Sequence, residues 1–146
     1  GNWNTTKVKD RVNRGTAAAP KYFINDESKY DNENGDPEYR MNVSARHTMN
    51  NDVTVSVRGN LYGPYKNAAN ATLASIQEYG RVTQWDTDVS WDLSEAYRLT
   101  LGVNNVFDTM PDMDTIGETC CGRTYRSDSV QDWQGTYYYV RGQISF

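Results

Sequence analysis

The chain has 146 residues, of which 37% are hydrophobic, and it carries a formal net charge of −4. Its mean hydropathy is −0.83, and no stretch of it approaches the roughly 18 consecutive apolar residues that a membrane-spanning helix needs. The acidic balance gives no support to nucleic-acid binding, so no nucleic-acid partner is expected.

The sequence predicts no helix. The only helix-like run covers residues 68–79, and its Asn and Thr content favours a loop. Residues 3–11 are a candidate strand, although their alternation of apolar and polar residues is poor.

Five further segments alternate apolar and polar residues with period two and are predicted to be β-strands. Each has an apolar face and an opposite face with charges that would be costly to bury unpaired, which indicates a wet surface. A simple register at the turn 92–96 would place Ser90 opposite Arg98. The predicted strands are 38–47, 53–61, about 79–91, 97–107 and 136–146, and the charged residues are Arg40, Arg46, Arg58, Asp86, Asp88, Arg98 and Arg141.

The connections alternate in length. Those at 48–52 and 92–96 are short, whereas those at 12–37, 62–78 and 108–135 are long and rich in turn-forming residues. Outer-membrane β-barrels have short turns at one end and long loops at the other. A soluble sandwich is also compatible with this alternation.

Aromatic residues collect at both ends of the predicted apolar faces, as in the girdles of a membrane barrel. The segment from Tyr97 to Phe107 would rise roughly 25 Å when tilted, which matches the apolar band of such a barrel. Trp85 does not fit, because it would face the middle of the bilayer, and Asn105 indicates a bulge or a strand end. The girdle candidates are Trp91, Tyr97 and Phe146 at the short-turn end and Tyr39, Phe107 and Tyr138 at the long-loop end.

The end of the fourth predicted strand and the last strand resemble TonB-dependent outer-membrane receptors. Residues Asn105, Val106, Phe107 and Asp108, followed by Pro111, are similar to the penultimate-strand signature of that family. The strand that ends at Phe146 resembles the family's C-terminal strand, and residues 122–137 and, less specifically, 1–7 are also similar. The resemblance spans essentially the whole chain and is strong over about residues 80–146.

The resemblance implies an all-β fold in which the chain supplies the last five or six strands of a 22-stranded antiparallel transmembrane barrel with a plug. It implies active uptake of a scarce nutrient across the bacterial outer membrane, most often a ferric siderophore, without enzymatic activity. The partners would be outer-membrane lipid, the rest of the barrel and its plug, the TonB complex through that plug, and the barrel-assembly machinery through the last strand. The chain begins at Gly1 without a signal peptide, so the export signal is expected upstream. The plug and the earlier strands are expected either upstream or in other chains that complete the barrel.

No catalytic constellation is expected. His47 is the only histidine, which excludes a multi-histidine metal site or a His-based triad within this chain. Asp108, Asp112 and Asp114 form an Asp-rich loop that could bind calcium but is more often solvated, so no metal or cofactor is predicted. The adjacent Cys120 and Cys121 are expected to form a disulfide with each other.

Aromatic and Arg side chains in the long loops are the ligand-contact candidates, because such side chains at a barrel mouth suit anionic or aromatic ligands. Two other interpretations remain open. One is a soluble all-β binding module, such as a carbohydrate-binding sandwich, and the other is a fragment retained as a structural or assembly partner. The ligand-contact candidates are Tyr62, Tyr65, Arg123, Tyr125 and Arg126.

Overall fold

The computed structural model describes residues 1–50, 52–68, 73–115, 122–127 and 129–145. Within these ranges the protein consists mainly of antiparallel β-structure with one short helix. Six strands form one sheet in the order β1-β2-β3-β6-β7-β8, and a separate hairpin pairs β4 with β5. No helix among the described residues is long and apolar enough to cross a membrane.

The five strands predicted with clear alternation agree with the structure except near their ends, and the strand predicted from 79 begins at Val82. The candidate strand over residues 3–11 was wrong, because the strand in this region is limited to Asn2–Trp3. The bounds are β1 Asn2–Trp3, β2 Tyr39–Met49, β3 Val53–Tyr62, β6 Val82–Asp92, β7 Tyr97–Asn104 and β8 Tyr137–Ile144.

One helix, α1 (Asp26–Asn34), contradicts the prediction of a helix-free chain. Asn25 caps it, since its side chain accepts a hydrogen bond from the Ser28 N–H at 2.7 Å. Asp26 and Glu27 in the first turn complement the positive end of the helix dipole. None of the residues of α1 is buried, so the helix has no apolar face that would appear in the sequence as a periodic pattern. The capping residues were therefore the only sequence signal for this helix.

The second correction concerns residues 62–79, which were predicted to be loop and the start of a strand. Here β4 (Tyr65–Ala68) pairs with β5 (Ile76–Tyr79), and Tyr65 lies opposite Tyr79. The two rings stack with centroids 4.6 Å apart. A cross-strand contact of this kind stabilises the hairpin. Its strands lack the long alternation of apolar and polar residues from which a strand is predicted.

The register of β6, β7 and β8 places directly opposed residues on common faces of the sheet. The apolar faces predicted for these three strands lie on the same side of the sheet, which confirms the predicted facing of their side chains. The aligned apolar rows are Thr87–Val103–Tyr138, Val89–Leu101–Val140 and Trp91–Leu99–Gly142.

The predicted register at the β6–β7 turn was wrong by two residues. Ser90 lies opposite Thr100, and Arg98 lies opposite Asp92, with which it forms an ion pair. The turn is displaced because the N–H groups of Leu93 and Ser94 both bond to the Tyr97 carbonyl. A shift of two residues keeps every side chain on its predicted face, since strand side chains alternate with period two.

The chain divides into two compact units. The first contains α1, β1 and the β4–β5 hairpin, and the second contains most of the large sheet. Their bounds are Gly1–Arg40, Tyr62–Arg81 and Asp112–Gln131 for the first unit, and Met41–Leu61, Val82–Pro111 and Asp132–Phe146 for the second.

Candidate functional site

A polar cleft of about 360 Å³ lies in the second unit. It is formed near the ends of β3 and β7 and the beginnings of β6 and β8, where the long connections start. Amides, charged groups and one tyrosine line it, and we call it the polar cleft. Its principal side chains are Arg58, Asn60, Gln84, Asp86, Asn104, Asp132 and Tyr137.

A chain of hydrogen bonds fixes the floor of the polar cleft across three strands. Asn42 donates from Nδ2 to Asn60 Oδ1 at 2.6 Å, and Asn60 donates from Nδ2 to Asp86 Oδ2 at 3.2 Å. The backbone N–H of Asn105 donates to the other Asp86 oxygen at 3.0 Å. Asn60 and Asp86 are therefore held by their neighbours, so the cleft presents these two polar groups in defined directions.

A tight turn at Asn105–Asp108 forms one end of this network. Asn105 and Asp108 have φ of 51° and 52°, in the left-handed region that Asn and Asp tolerate best among non-glycine residues. The Asn105 side chain bonds in both directions with the Thr109 backbone, at 2.9 and 2.8 Å. Asp108 accepts from the Thr136 N–H at 3.0 Å, which joins the turn to the start of β8. Asn105 thus marks a strand end, as its position in the sequence indicated.

Loop backbone covers part of the polar face. Gln84 is only 7% exposed, and its Nε2 donates to the carbonyls of Thr109 and Asp132 at 3.5 and 3.2 Å. Arg58 is exposed and forms no ion pair with any residue that the structure describes. The cleft therefore carries one guanidinium, which has no ion pair among the described residues, together with the carboxylates of Asp86 and Asp132.

The other face of the same sheet is apolar and exposed. Leu101, Val140 and Tyr138 are 53%, 72% and 79% exposed, whereas Thr100, which points the opposite way, is 7% exposed. Trp85, which did not fit a mid-bilayer position, lies against Gly59, where a Cβ would be 2.9 Å from its ring. The indole thus occupies the space that the missing side chain leaves.

The aromatic girdle candidates differ in their surroundings. Trp91, Tyr97 and Phe107 are strongly exposed, as is Tyr138. Tyr39, in the first unit, contacts Trp3 with ring centroids 5.3 Å apart. Phe146 lies outside the described residues, as do Cys120 and Cys121.

The five predicted ligand-contact residues lie in the first unit, and the structure connects three of them. Tyr65 is buried against Tyr79, and the Arg126 guanidinium lies over the Tyr79 ring at 5.9 Å. Arg123 pairs with the buried Asp114 at 3.8 Å. No described contact brings Tyr62 or Tyr125 into this cluster.

Burial raises the pKa of Tyr79 to about 12, and the negative charge of Asp114 adds to the effect. The Arg126 guanidinium lowers the same pKa but does not cancel the burial. The phenol consequently stays neutral even near pH 10, where an ordinary tyrosine is half ionised, and it packs as a neutral group of the hairpin.

The Asp-rich loop does not gather its carboxylates. Asp108 bonds to Thr136, Asp112 accepts from the Gly80 N–H at 2.7 Å, and Asp114 pairs with Arg123. Among the described residues, no group of three or more His, Cys, Asp or Glu side chains could hold a metal ion.

No family model matches this sequence, and comparisons with curated proteins and with solved structures likewise return no match.

Sequence reasoning identified Arg58 and Asp86 as members of a wet face, but it did not identify the polar cleft. Asn60, Gln84 and Asn104 lie on the polar faces of their strands, near strand ends. This placement was the sequence signal from which the cleft could have been predicted. These residues meet because their strands are neighbours in the sheet. The alternation within a single strand does not reveal which strands are its neighbours.

Proposed function

We propose that this chain forms the C-terminal part of the barrel of a TonB-dependent outer-membrane receptor, which takes up a scarce nutrient. The observation that carries the proposal is the exposed apolar face of β6, β7 and β8, opposite a polar face that is partly covered. The resemblance of Asn105–Asp108 and of the last strand to TonB-dependent receptors supports this family in particular.

The energetics of the sheet support a lipid contact. Burying apolar surface gains roughly 25 cal/mol per Å², so a contiguous row such as Val89–Leu101–Val140 is unfavourable in water. Aliphatic rows bounded by Trp91 and Tyr97 on one side and Tyr138 on the other have the distribution of a bilayer-facing surface.

The open sheet requires further strands under this proposal. Unpaired backbone groups at a strand edge cannot lie in hydrocarbon, so other strands must pair with β1 and β8. The rest of the barrel, its plug and the TonB contact through the plug would come from other parts of the protein. A ferric siderophore as cargo is the expectation from family frequency.

Lysine substitutions at two positions of β8 test the proposal. Val140 and Gln143 are both exposed but lie on opposite faces of the sheet. We expect Val140→Lys to destabilise the complete barrel, folded in lipid bilayers with the strands that flank this chain, by about 2–4 kcal/mol, because a lysine near the midplane is costly there. Gln143→Lys is the matched control and should be tolerated on a wet face.

A water-facing sheet predicts a different result. Lysine at an already exposed position would then change stability by no more than about 0.5 kcal/mol. Equal tolerance of Val140→Lys and Gln143→Lys in urea titrations would reject the membrane proposal. It would favour the soluble binding module.

A further inference from the structure

We propose that the polar cleft binds a neutral, hydroxyl-rich ligand, namely a saccharide. The inference deepens the proposed function, on which it rests for the placement of the polar face toward the barrel interior. It differs from the siderophore expectation, which comes from family frequency alone.

The charge of the cleft disfavours an anionic ligand. Arg58 supplies one positive charge, while Asp86 and Asp132 supply two negative charges. An anionic chelate would have to approach both carboxylates with only one guanidinium to compensate them. A neutral ligand meets no such repulsion.

The donors and acceptors of the cleft match hydroxyl groups. Each sugar hydroxyl both donates and accepts hydrogen bonds, and an amide side chain does the same through separate atoms, whereas a carboxylate only accepts. Asn60 and Asn104 provide the amides, since Gln84 is 7% exposed and already uses its Nε2 on the carbonyls of Thr109 and Asp132. Asp86 provides an acceptor held by two neighbours. Because Asn60 and Asp86 are already oriented by their neighbours, a ligand would lose little affinity to ordering these two groups.

Tyr137 gives the cleft an apolar wall. It is 43% exposed and lies opposite Asn104 in the β7–β8 register. An accessible aromatic ring beside a row of amides can contact the C–H face of a pyranose while the amides bind its hydroxyls. The volume of about 360 Å³ lies at the small end of ligand pockets and suits one or two sugar rings.

The test uses isothermal titration calorimetry of the complete barrel, in which this chain is paired with the remaining strands, in detergent micelles. The probes are neutral trisaccharides of glucose, galactose, mannose or xylose, with the ferric citrate anion as the charged comparison. We expect at least one trisaccharide to bind and ferric citrate not to bind. Tyr137→Ala should weaken the saccharide about five- to tenfold, because it removes the aromatic wall.

Tyr138→Ala is the matched control, since Tyr138 is the next residue and lies on the opposite, apolar face. It should leave the saccharide affinity unchanged. Arg58→Gln is the second variant, and it should change saccharide binding by less than Tyr137→Ala does, because Arg58 has no ion pair among the described residues to lose.

The inference would be overturned by binding of none of the trisaccharides, or by equal effects of the two tyrosine substitutions. Ferric citrate binding that Arg58→Gln abolishes would also overturn it. A chain that shows the facing effect of Val140→Lys but binds no saccharide rejects only this inference. A chain that binds saccharide but tolerates Val140→Lys rejects the membrane proposal instead.

Discussion

Single residues with unusual backbone geometry explain the most distinctive motif of the chain. Asn105 and Asp108 both have positive φ, and each uses its side chain to hold the turn between β7 and the loop that follows. Asn and Asp are the residue types that combine tolerance of this conformation with short hydrogen-bonding side chains. The Asn105–Asp108 motif therefore holds the end of β7 to the start of β8.

Asn105→Ala should destabilise the chain by about 2–4 kcal/mol, because it adds left-handed strain and removes the two bonds to Thr109. Asn105→Gly removes the same bonds but tolerates positive φ, so it should cost about 1 kcal/mol less than alanine. Urea unfolding in detergent micelles measures both. Equal losses for alanine and glycine would show that backbone strain does not contribute.

The pKa of Tyr79 predicts a stability effect at alkaline pH. The folded chain holds this phenol proton up to about pH 12, whereas the ordinary value is 10.0. The burial of the neutral phenol therefore stabilises the fold fully below pH 10, and this contribution is lost as the pH rises toward 12. The hairpin that carries Tyr79 lies outside the large sheet.

Tyrosinate absorbance of the chain and of Tyr79→Phe measures this effect. The difference between the two titrations should have its midpoint near pH 12 in the folded chain. In guanidinium chloride it should return to about 10, since the burial is lost. A folded-state difference centred at 10 would contradict the desolvation of Tyr79.

At the scale of elements, glycine and aromatic residues pair across neighbouring strands. Tyr139 of β8 packs over Gly102 of β7 on the polar face, and Trp85 of β6 packs over Gly59 of β3 on the apolar face. Each glycine provides a place for a ring, and each ring covers backbone that the glycine leaves open. These pairs give the sheet specific contacts where cross-strand aliphatic pairs are absent.

Gly102→Ala should cost about 1–3 kcal/mol, because the added Cβ would lie 2.2 Å from Tyr139 Cζ and the ring would have to move. Gly142→Ala is the control, since a Cβ there meets no atom within 4 Å. That substitution should be neutral or stabilise the strand by up to about 1 kcal/mol. In the Tyr139→Ala background the cost at Gly102 should disappear, and a persistent cost would show that the ring is not its cause.

At the scale of the whole molecule, the described sheet has its apolar side exposed and its polar side partly covered. Soluble domains reverse this arrangement, because the hydrophobic effect removes apolar faces from water. Because the apolar side is exposed, folding of this sheet depends on whether that side meets water or an apolar solvent.

For the chain expressed together with the remaining strands of the barrel, we therefore expect β-rich circular dichroism and heat-modifiable gel mobility in detergent micelles, with association or precipitation when detergent is removed. Analytical ultracentrifugation with and without detergent distinguishes these states. Matched samples of Val140→Lys in buffer provide the control, since a lysine on the apolar face should reduce association. A stable monomer in plain buffer would contradict the proposal.

The amino-acid sequence by itself determined the strands of the large sheet and the facing of their side chains. Alternation with period two is a local property, so the apolar face of Leu101 and Val103 could be identified without knowing their neighbours. The turn chemistry at 92–96 was also visible, although its register was displaced by two residues.

Only the tertiary structure decided the features that depend on partners distant in the chain. The helix α1 has no apolar stripe, and the β4–β5 hairpin depends on Tyr65 meeting Tyr79, so neither has a periodic signal. The polar cleft depends on β3 and β6 being neighbours, which brings Asn60 to Asp86. Period-two alternation specifies which face of a strand is apolar, whereas the pairing of strands specifies which polar groups meet, because hydrogen bonds between strands join residues far apart in sequence.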